Sequence, residues 1–159
     1  MFAKAKKVMT EDEAYYKLSS LCAAAEYCET DMRKKMSRWE LPDGAEDRLI
    51  NKLVSERFID ESRFARAFVR EKFKFNHWGK VKISVELKRR GISQMIIDES
   101  LDEIHEDDNH DTLLSLLMSK KKSVKGKTDT EIKFKLMRFA LSRGFAIDDI
   151  ERVIDTVMG

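Results

Sequence analysis

The stretch Trp78–Ile104, WGKVKISVELKRRGISQMIIDESLDEI, decides the fold. It reads as a basic helix, a tight turn at Arg90-Gly91 and an acidic helix opening at Ser93. Counting from Gly91, apolar residues follow at Ile92, Ile97, Leu101 and Ile104. The same offsets from Gly144 give Phe145, Ile150, Ile154 and Val157, and Arg143-Gly144 answers Arg90-Gly91. Matches at that many offsets mark an internal repeat of about 53 residues, the step from Gly91 to Gly144. A looser first copy appears when Glu40 is set on Gly91. Met32, Met36, Ile50 and Leu53 then fall on Ile83, Leu87, Leu101 and Ile104, with the glycine missing.

Glycine suits both turns because the residue just past a helix end takes a positive φ that other residues resist. Arg89, Arg90 and Arg143 lie in the last turns, where cations favour the carbonyl end. The segment Val81–Leu87 alternates apolar and polar residues, as does Glu131–Leu136, which taken alone argues for strands. Helices are expected instead. The equivalent first-copy stretch, MRKKMSRWEL, has helical spacing, and neighbouring helices leave a sheet few partners. Val81/Val85 and Ile83/Leu87 then make two apolar faces.

The expected fold is therefore all-α: three tandem three-helix repeats, resembling helix-turn-helix units, in an elongated curved array. Their ranges are 10–58, 59–106 and 107–159, behind a mobile basic arm at 1–9. Thr10 with Glu11, Asp12 and Glu13 opens the first helix. Thr30 or Asp31 restarts the second, and Pro42 and Asp43 open the third, whose apolar face is Leu49, Ile50, Leu53 and Val54. Asp60 or Ser62 caps the next helix. Asp107-Asp108-Asn109 is read as ending one unit and capping the following helix, and residues 120–127 as an exposed basic loop.

Composition fits. Of 159 residues 42% are hydrophobic and 38% charged, with one proline and six glycines, as amphipathic helices with solvated faces require. No apolar run is long enough to span a bilayer and no signal-peptide core follows the basic start, so a cytoplasmic protein without membrane contact is expected. Cys22 and Cys28 match no disulfide or zinc spacing and are read as reduced thiols. His105 and His110 stand five apart, off a common helical face, so no metal is expected. No nucleophile elbow, dinucleotide or phosphate-loop signature, zincin or calcium-loop motif is present, so neither catalysis nor a cofactor is expected.

The net charge of +2 conceals zoning. Arg63–Arg90 holds ten Lys/Arg against two acids, and Ile97–Asp111 eight acids and no Lys/Arg. Met118–Arg138 holds eight basic residues against two acidic. Such zoning speaks of partners rather than fold. At 100° per residue Phe64, Phe68 and Phe75 fall within about 40° and are expected to face the core. Arg63, Arg66, Arg70 and Lys74 fall within an arc of about 80° opposite, an exposed stripe of like charges that repel one another unless an anion is met.

At FIDESRFARAFVREKF…WGKVKISVELKRRGIS the chain resembles the RecX family, bacterial regulators of the RecA recombinase. The residues that carry the resemblance are Asp60-Glu61, Phe64-Ala65, Gly79, Glu86-Leu87 and Arg90-Gly91-Ile92. Towards the C-terminus they are Lys133, Lys135, Arg138, Phe139, Arg143, Gly144 and Phe145. The chain departs at Ala25-Glu26-Tyr27-Cys28, where an Arg-x-Arg-Ser-like turn belongs. The resemblance covers about residues 10–158 and implies a non-enzymatic protein. Such a protein binds RecA filaments on single-stranded DNA and curbs their growth, ATP turnover and strand exchange. The residues expected at that interface are Arg63, Arg66, Arg70, Lys74, Trp78, Lys80, Lys82, Lys88, Arg89, Lys120, Lys121, Lys122, Lys133 and Lys135. A monomer is expected. Two alternatives remain: a module that binds single- or double-stranded DNA directly through helix–RGIS–helix, and a helical scaffold for another acidic protein.

Overall fold

The computed structural model describes residues 5–159. Its nine helices, among the described residues, fall into three groups of three. The first group is α1 (Glu11–Ala24), α2 (Glu29–Met36) and α3 (Ala45–Ser55). The second is α4 (Glu61–Lys74), α5 (Lys80–Arg89) and α6 (Gln94–Leu101). The third is α7 (Glu106–Lys121), α8 (Asp129–Ser142) and α9 (Ile147–Met158). Each group encloses its own core. Leu18, Met32, Leu49 and Leu53 anchor the first; Phe64, Ile83, Leu87 and Ile97 the second; Leu113, Leu117, Leu136 and Phe145 the third. The closest helix packing lies within groups. The protein is thus an all-α tandem array, and the alternating segments within α5 and α8 are helical. Periodicity lost to context there, because neither segment has a sheet to join.

Side-chain caps open four of the helices, three of them at residues the sequence marks as caps. The side chains of Thr10, Asp60, Ser93 and Thr128 accept from the backbone N–H of Glu13, Arg63, Ile96 and Glu131. Gly91 and Gly144 follow their helices at φ of 78° and 91°.

Several expectations give way. Of the supposed arm, residues 1–4 lie outside the described residues. Lys7–Val8 (β1) pairs in parallel with Trp39–Glu40 (β2), and Met9 is only 2% exposed in the first core. That methionine anchors the segment to the first unit. The second helix starts at Glu29, with Cys28 before it and Asp31 inside its first turn, where the Asp31 carboxylate reaches back to the Cys28 N–H. The Thr30 hydroxyl donates to the Arg90 carbonyl. Gly44 at φ 76°, not Asp43, precedes α3, after a turn in which the Ala45 N–H reaches the Pro42 carbonyl. Val54 is exposed on that helix. His105 directly precedes α7, so Asp107 and Asp108 sit in its first turn, while Asn109 is buried and donates to Asp149. The same helix runs through Lys121 into the supposed loop. Phe75 is 79% exposed, because α4 ends just before it and the chain turns away through His77 at φ 56°. Val81 and Val85 are also exposed, so α5 buries one face only.

The units meet end to end through their middle helices. The N–H groups of Gly79 and Val81, at the start of α5, donate to the carbonyls of Arg143 and Gly144, at the end of α8 (2.8 and 2.9 Å). At the other joint the end of α5 meets the start of α2. Thr30 donates to the Arg90 carbonyl at 2.7 Å, and the Arg90 guanidinium holds Asp31 at 2.7 Å. A carbonyl end thus faces an amide end at both joints, an alignment that the helix dipoles favour. The start of α8 closes on itself: the Lys127 N–H donates to Glu131, and that contact with Lys135 beyond it draws the Glu131 carboxyl below its ordinary range.

Cys22 and Cys28 are buried free thiols. Cys28 belongs to the second core although it precedes α2, which ties the first two units together. Burial pushes its thiol up to about 11, leaving it protonated and unreactive at neutral pH.

Glu61 lies at the same joint. Its carboxylate accepts from the Glu29 N–H at 3.3 Å while its second oxygen is buried without a partner. Burial raises its pKa above the usual glutamate value, the Glu29 N–H opposes this, and the charges of Glu29, Asp31 and Asp60 add to the rise. The folded state therefore binds this proton more tightly than the unfolded chain. That contribution is present at low pH and is lost as pH rises from the ordinary glutamate value through the raised one. Glu61→Gln, which retains an acceptor for Glu29, should remove this loss. Urea midpoints from pH 4 to 8 should show the variant gaining on the parent as pH rises; a gap that does not change with pH contradicts the assignment.

Candidate partner-binding surface

The fourteen expected interface residues separate according to what already holds them. Arg66, Arg70 and Lys74 project from the exposed face of α4, and only Arg66 has a carboxylate near, Glu103 at 3.8 Å. Arg63 leaves the stripe. Its guanidinium is tied to Glu26 and donates to the carbonyls of Arg57 and Phe58, which fastens α4 to the loop before it. Lys88 and Arg89 stand exposed at the end of α5, Arg89 against Glu86 at 2.9 Å.

Trp78 is half-buried, edge-on to Phe68, with the ammonium groups of Lys82 and Lys72 at 4.4 and 5.1 Å from its ring. Lys80 opens onto a cavity of about 380 Å³ shared with Glu106, Asp107, His110, Asp149 and Arg152, so its surroundings are acidic.

In the third unit Lys121 is structural, since its ammonium caps α9 through the carbonyls of Val157 and Met158 at 2.8 and 3.2 Å. Lys120 lies 4.9 Å from the Phe139 ring, and Lys122 is exposed. Lys133 faces Asp155 at 3.4 Å. Lys135 bonds the Lys125 carbonyl at 2.6 Å and Glu131 at 3.3 Å.

The outward face of the middle helices holds what sequence reasoning missed. On α5 it carries Val81, Val85, Lys88 and Arg89; on α8 the counterparts are Phe134, Arg138, Leu141 and Ser142, all exposed. At 100° per residue the first three of each set lie within about 60°. The first unit supplies Thr30, Lys34, Ser37 and Arg38 at the same repeat positions, also exposed. Phe134, at 61% exposure, is the largest apolar side chain of the row. The signal was the repeat itself: moving Val81, Val85, Lys88 and Arg89 by one unit lands on these residues. Exposed apolar groups set among cations along a repeating surface are typical of a protein contact.

Comparison with known proteins adds identity to this geometry. Residues 60–101 match the family model described as RecX, second three-helix domain, and residues 106–154 match RecX, third three-helix domain. The chain is 35% identical over 114 residues to regulatory protein RecX of Clostridium tetani, covering 70% of this chain and 52% of that one. It is 30% identical over 149 residues to regulatory protein RecX of Chlorobium phaeobacteroides, covering 93% and 96%. The chain spans about half to three-fifths of several clostridial relatives. The fold is shared with a crystal structure of regulatory protein RecX, at a TM-score of 0.83 and 19% identity over 91% of this chain and 73% of that one. It is shared also with RecX from Lactobacillus salivarius, at 0.78 and 17% over 92% and 96%. Among the described residues no helix is long and apolar enough to cross a membrane, and no group of side chains is arranged to hold a metal ion. With two successive units matched by the family's own domain models, and one relative aligned over nearly its whole length, the chain belongs to the RecX family.

Proposed function

We propose that this chain is a non-enzymatic regulator that binds RecA filaments assembled on single-stranded DNA as a monomer and restrains their growth, ATP turnover and strand exchange. Membership of the RecX family supports the regulatory role. The observation that carries the mode of binding is the end-to-end file of middle helices. It repeats the same outward positions once per unit, so a filament made of repeating subunits is met by a protein that also repeats. Contacts along such an array add, and the second and third dock at high effective concentration once the first has formed. The stripe Arg66, Arg70 and Lys74 supplies exposed cations, and Val81, Val85, Phe134 and Leu141 supply exposed apolar surface.

The test is co-sedimentation with RecA on single-stranded DNA. Reversing charge at Arg66, Arg70 and Lys74 together should weaken binding by at least about tenfold, since three interfacial charges at roughly 0.5–1 kcal/mol each reach that factor. Unchanged binding removes the stripe from the interface. Repeating the assay at two salt concentrations, with DNA but no RecA, identifies a module that needs no partner protein.

A further inference from the structure

We propose that the joint between the first and second units is a hinge with a proton-sensitive latch, which frees the first unit as pH rises while the second and third stay joined. The two joints are built of different groups. At the second, the N–H groups of Gly79 and Val81 donate to the carbonyls of Arg143 and Gly144, and peptide groups do not titrate. The first is held by side chains. Glu61 accepts from the Glu29 N–H at 3.3 Å, Thr30 donates to the Arg90 carbonyl at 2.7 Å, Asp31 holds the Arg90 guanidinium at 2.7 Å, and Glu26 holds Arg63.

The latch is the Glu61 carboxyl. Like charge surrounds it: Glu29 and Asp31 on α2, and Asp60 at the turn before α4, with the Cys28 thiol as a further titratable neighbour. Cations reach the joint only in pairs already made, Arg63 with Glu26, Arg90 with Asp31 and Arg33 with Glu29. Five carboxylates thus share three guanidinium groups, and Arg33 is also claimed by Glu46 and Asp47. Two of the carboxylate oxygens, one on Glu26 and one on Glu61, are buried without a donor. Buried acceptors without partners are costly, and two at one joint place the array's weakness there.

Protonation of Glu61 relieves its desolvation and its repulsion from the neighbouring acids. Burial and the charges of Glu29, Asp31 and Asp60 accordingly raise its pKa, against the pull of the Glu29 N–H. The closed joint binds this proton more tightly than the open one. Opening therefore becomes easier as pH climbs from the ordinary glutamate value through the raised one.

Cys28 defines what moves. It stands on the chain before α2, yet it is wholly buried in the second core. It is the plug that seats the first unit, and opening withdraws it. The first unit keeps its own core around Leu18, Met32, Leu49 and Leu53, so it swings as a body rather than unfolding. Where the outward row is the filament contact, as in the function proposed above, opening takes α2 out of line and leaves two of three segments engaged. The experiment uses the free chain, so its outcome does not depend on that function.

The Cys28 thiol reports the opening. In a Cys22→Ala chain it is the one thiol, and its rate of reaction with dithiodipyridine is measured from pH 5 to 8. Dividing by the rate of the same chain unfolded in urea at each pH gives the opening constant free of the thiol's own titration. That constant should rise at least about threefold over this range, and should exceed the global unfolding constant at least about tenfold. Adding Glu61→Gln, which keeps an acceptor for Glu29, should abolish the rise. Hydrogen exchange of the unaltered chain, resolved by NMR, covers the case in which Cys22→Ala does not fold. The Glu29 amide should show the same rise, and the Gly79 and Val81 amides should stay better protected at every pH. Labelling of Cys28 only at the global unfolding constant overturns the hinge. An opening constant that is flat with pH, or that rises equally in the Glu61→Gln chain, overturns the latch. Gly79 and Val81 amides that open as readily as Glu29 overturn the confinement to the first joint.

Discussion

Gly144→Ala should cost about 3–5 kcal/mol and loosen the third unit from the second. Such a value lies at the upper end for single substitutions and needs named causes. Two act together here. At φ 91° a side chain is strained by about 1–2 kcal/mol wherever it stands. The added Cβ would also lie 2.2 Å from the Lys82 Cβ and 2.7 Å from the Lys82 nitrogen, and backbone cannot swing aside as a side-chain tip can. Gly91→Ala separates the causes. It has a similar φ of 78°, but its nearest neighbour would be the Thr30 hydroxyl at 3.6 Å, an ordinary contact. That variant should lose only about 1–2 kcal/mol. Gly79→Ala is the complementary control. Its φ of −79° suits any residue, yet its Cβ would meet the Gly144 carbonyl at 2.3 Å, so any loss comes from the joint alone. Urea denaturation followed by circular dichroism ranks the three. Equal losses at Gly91 and Gly144 would mean that the close approach contributes nothing.

Phe145→Ala should cost about 3–5 kcal/mol, the range for removing a buried aromatic and leaving its cavity. Phe145 is 2% exposed and follows directly on Gly144, so the turn that joins two units also inserts the largest fully buried side chain of the third core. Phe134→Ala and Phe75→Ala should stay within about 0.5 kcal/mol of the parent, as exposed substitutions do. The three phenylalanines are chemically identical, so the spread reports burial alone. Thermal denaturation decides it, and a loss at Phe75 comparable with that at Phe145 would restore it to a core. The Phe134 variant carries a second readout: unaltered stability with weakened filament binding marks it as a contact residue.

The helices and their order were legible because their signals are local and recur. A glycine past a helix end, a capping hydroxyl and apolar residues three or four apart each lie within one helix or turn, and a period near 53 displays them more than once. What the sequence concealed depends on residues far apart in the chain. Arg63 belongs by spacing with Arg66 and Arg70, but Glu26, 37 positions earlier, draws it in. Lys121 sits in a lysine run, and only the arrival of α9 turns it into a cap. Phe75 falls on the apolar side of a helical projection that continues past the point where the helix stops. Gly144 showed its turn and hid its neighbour, since Gly79 lies 65 positions upstream. The row Val81, Val85, Phe134 and Leu141 was passed over for another reason: apolar residues were assumed to be inside, a rule that runs in one direction only.

The joint between Gly79 and Gly144 is made of main chain, and this bears on how such a protein can change over generations. A seam of side chains ties both partners to matching sequences, so that an alteration on one side must wait for a compensating one on the other. Here the hydrogen bonds come from peptide groups that every residue possesses, and the demand on sequence is for two glycines. The remaining surface of the third unit is released from holding this joint, unlike that of the first, which is tied to the second through Thr30, Asp31 and Arg90. The third unit can drift while its neighbours stay as they are, and one exchanged between relatives should still find its seat.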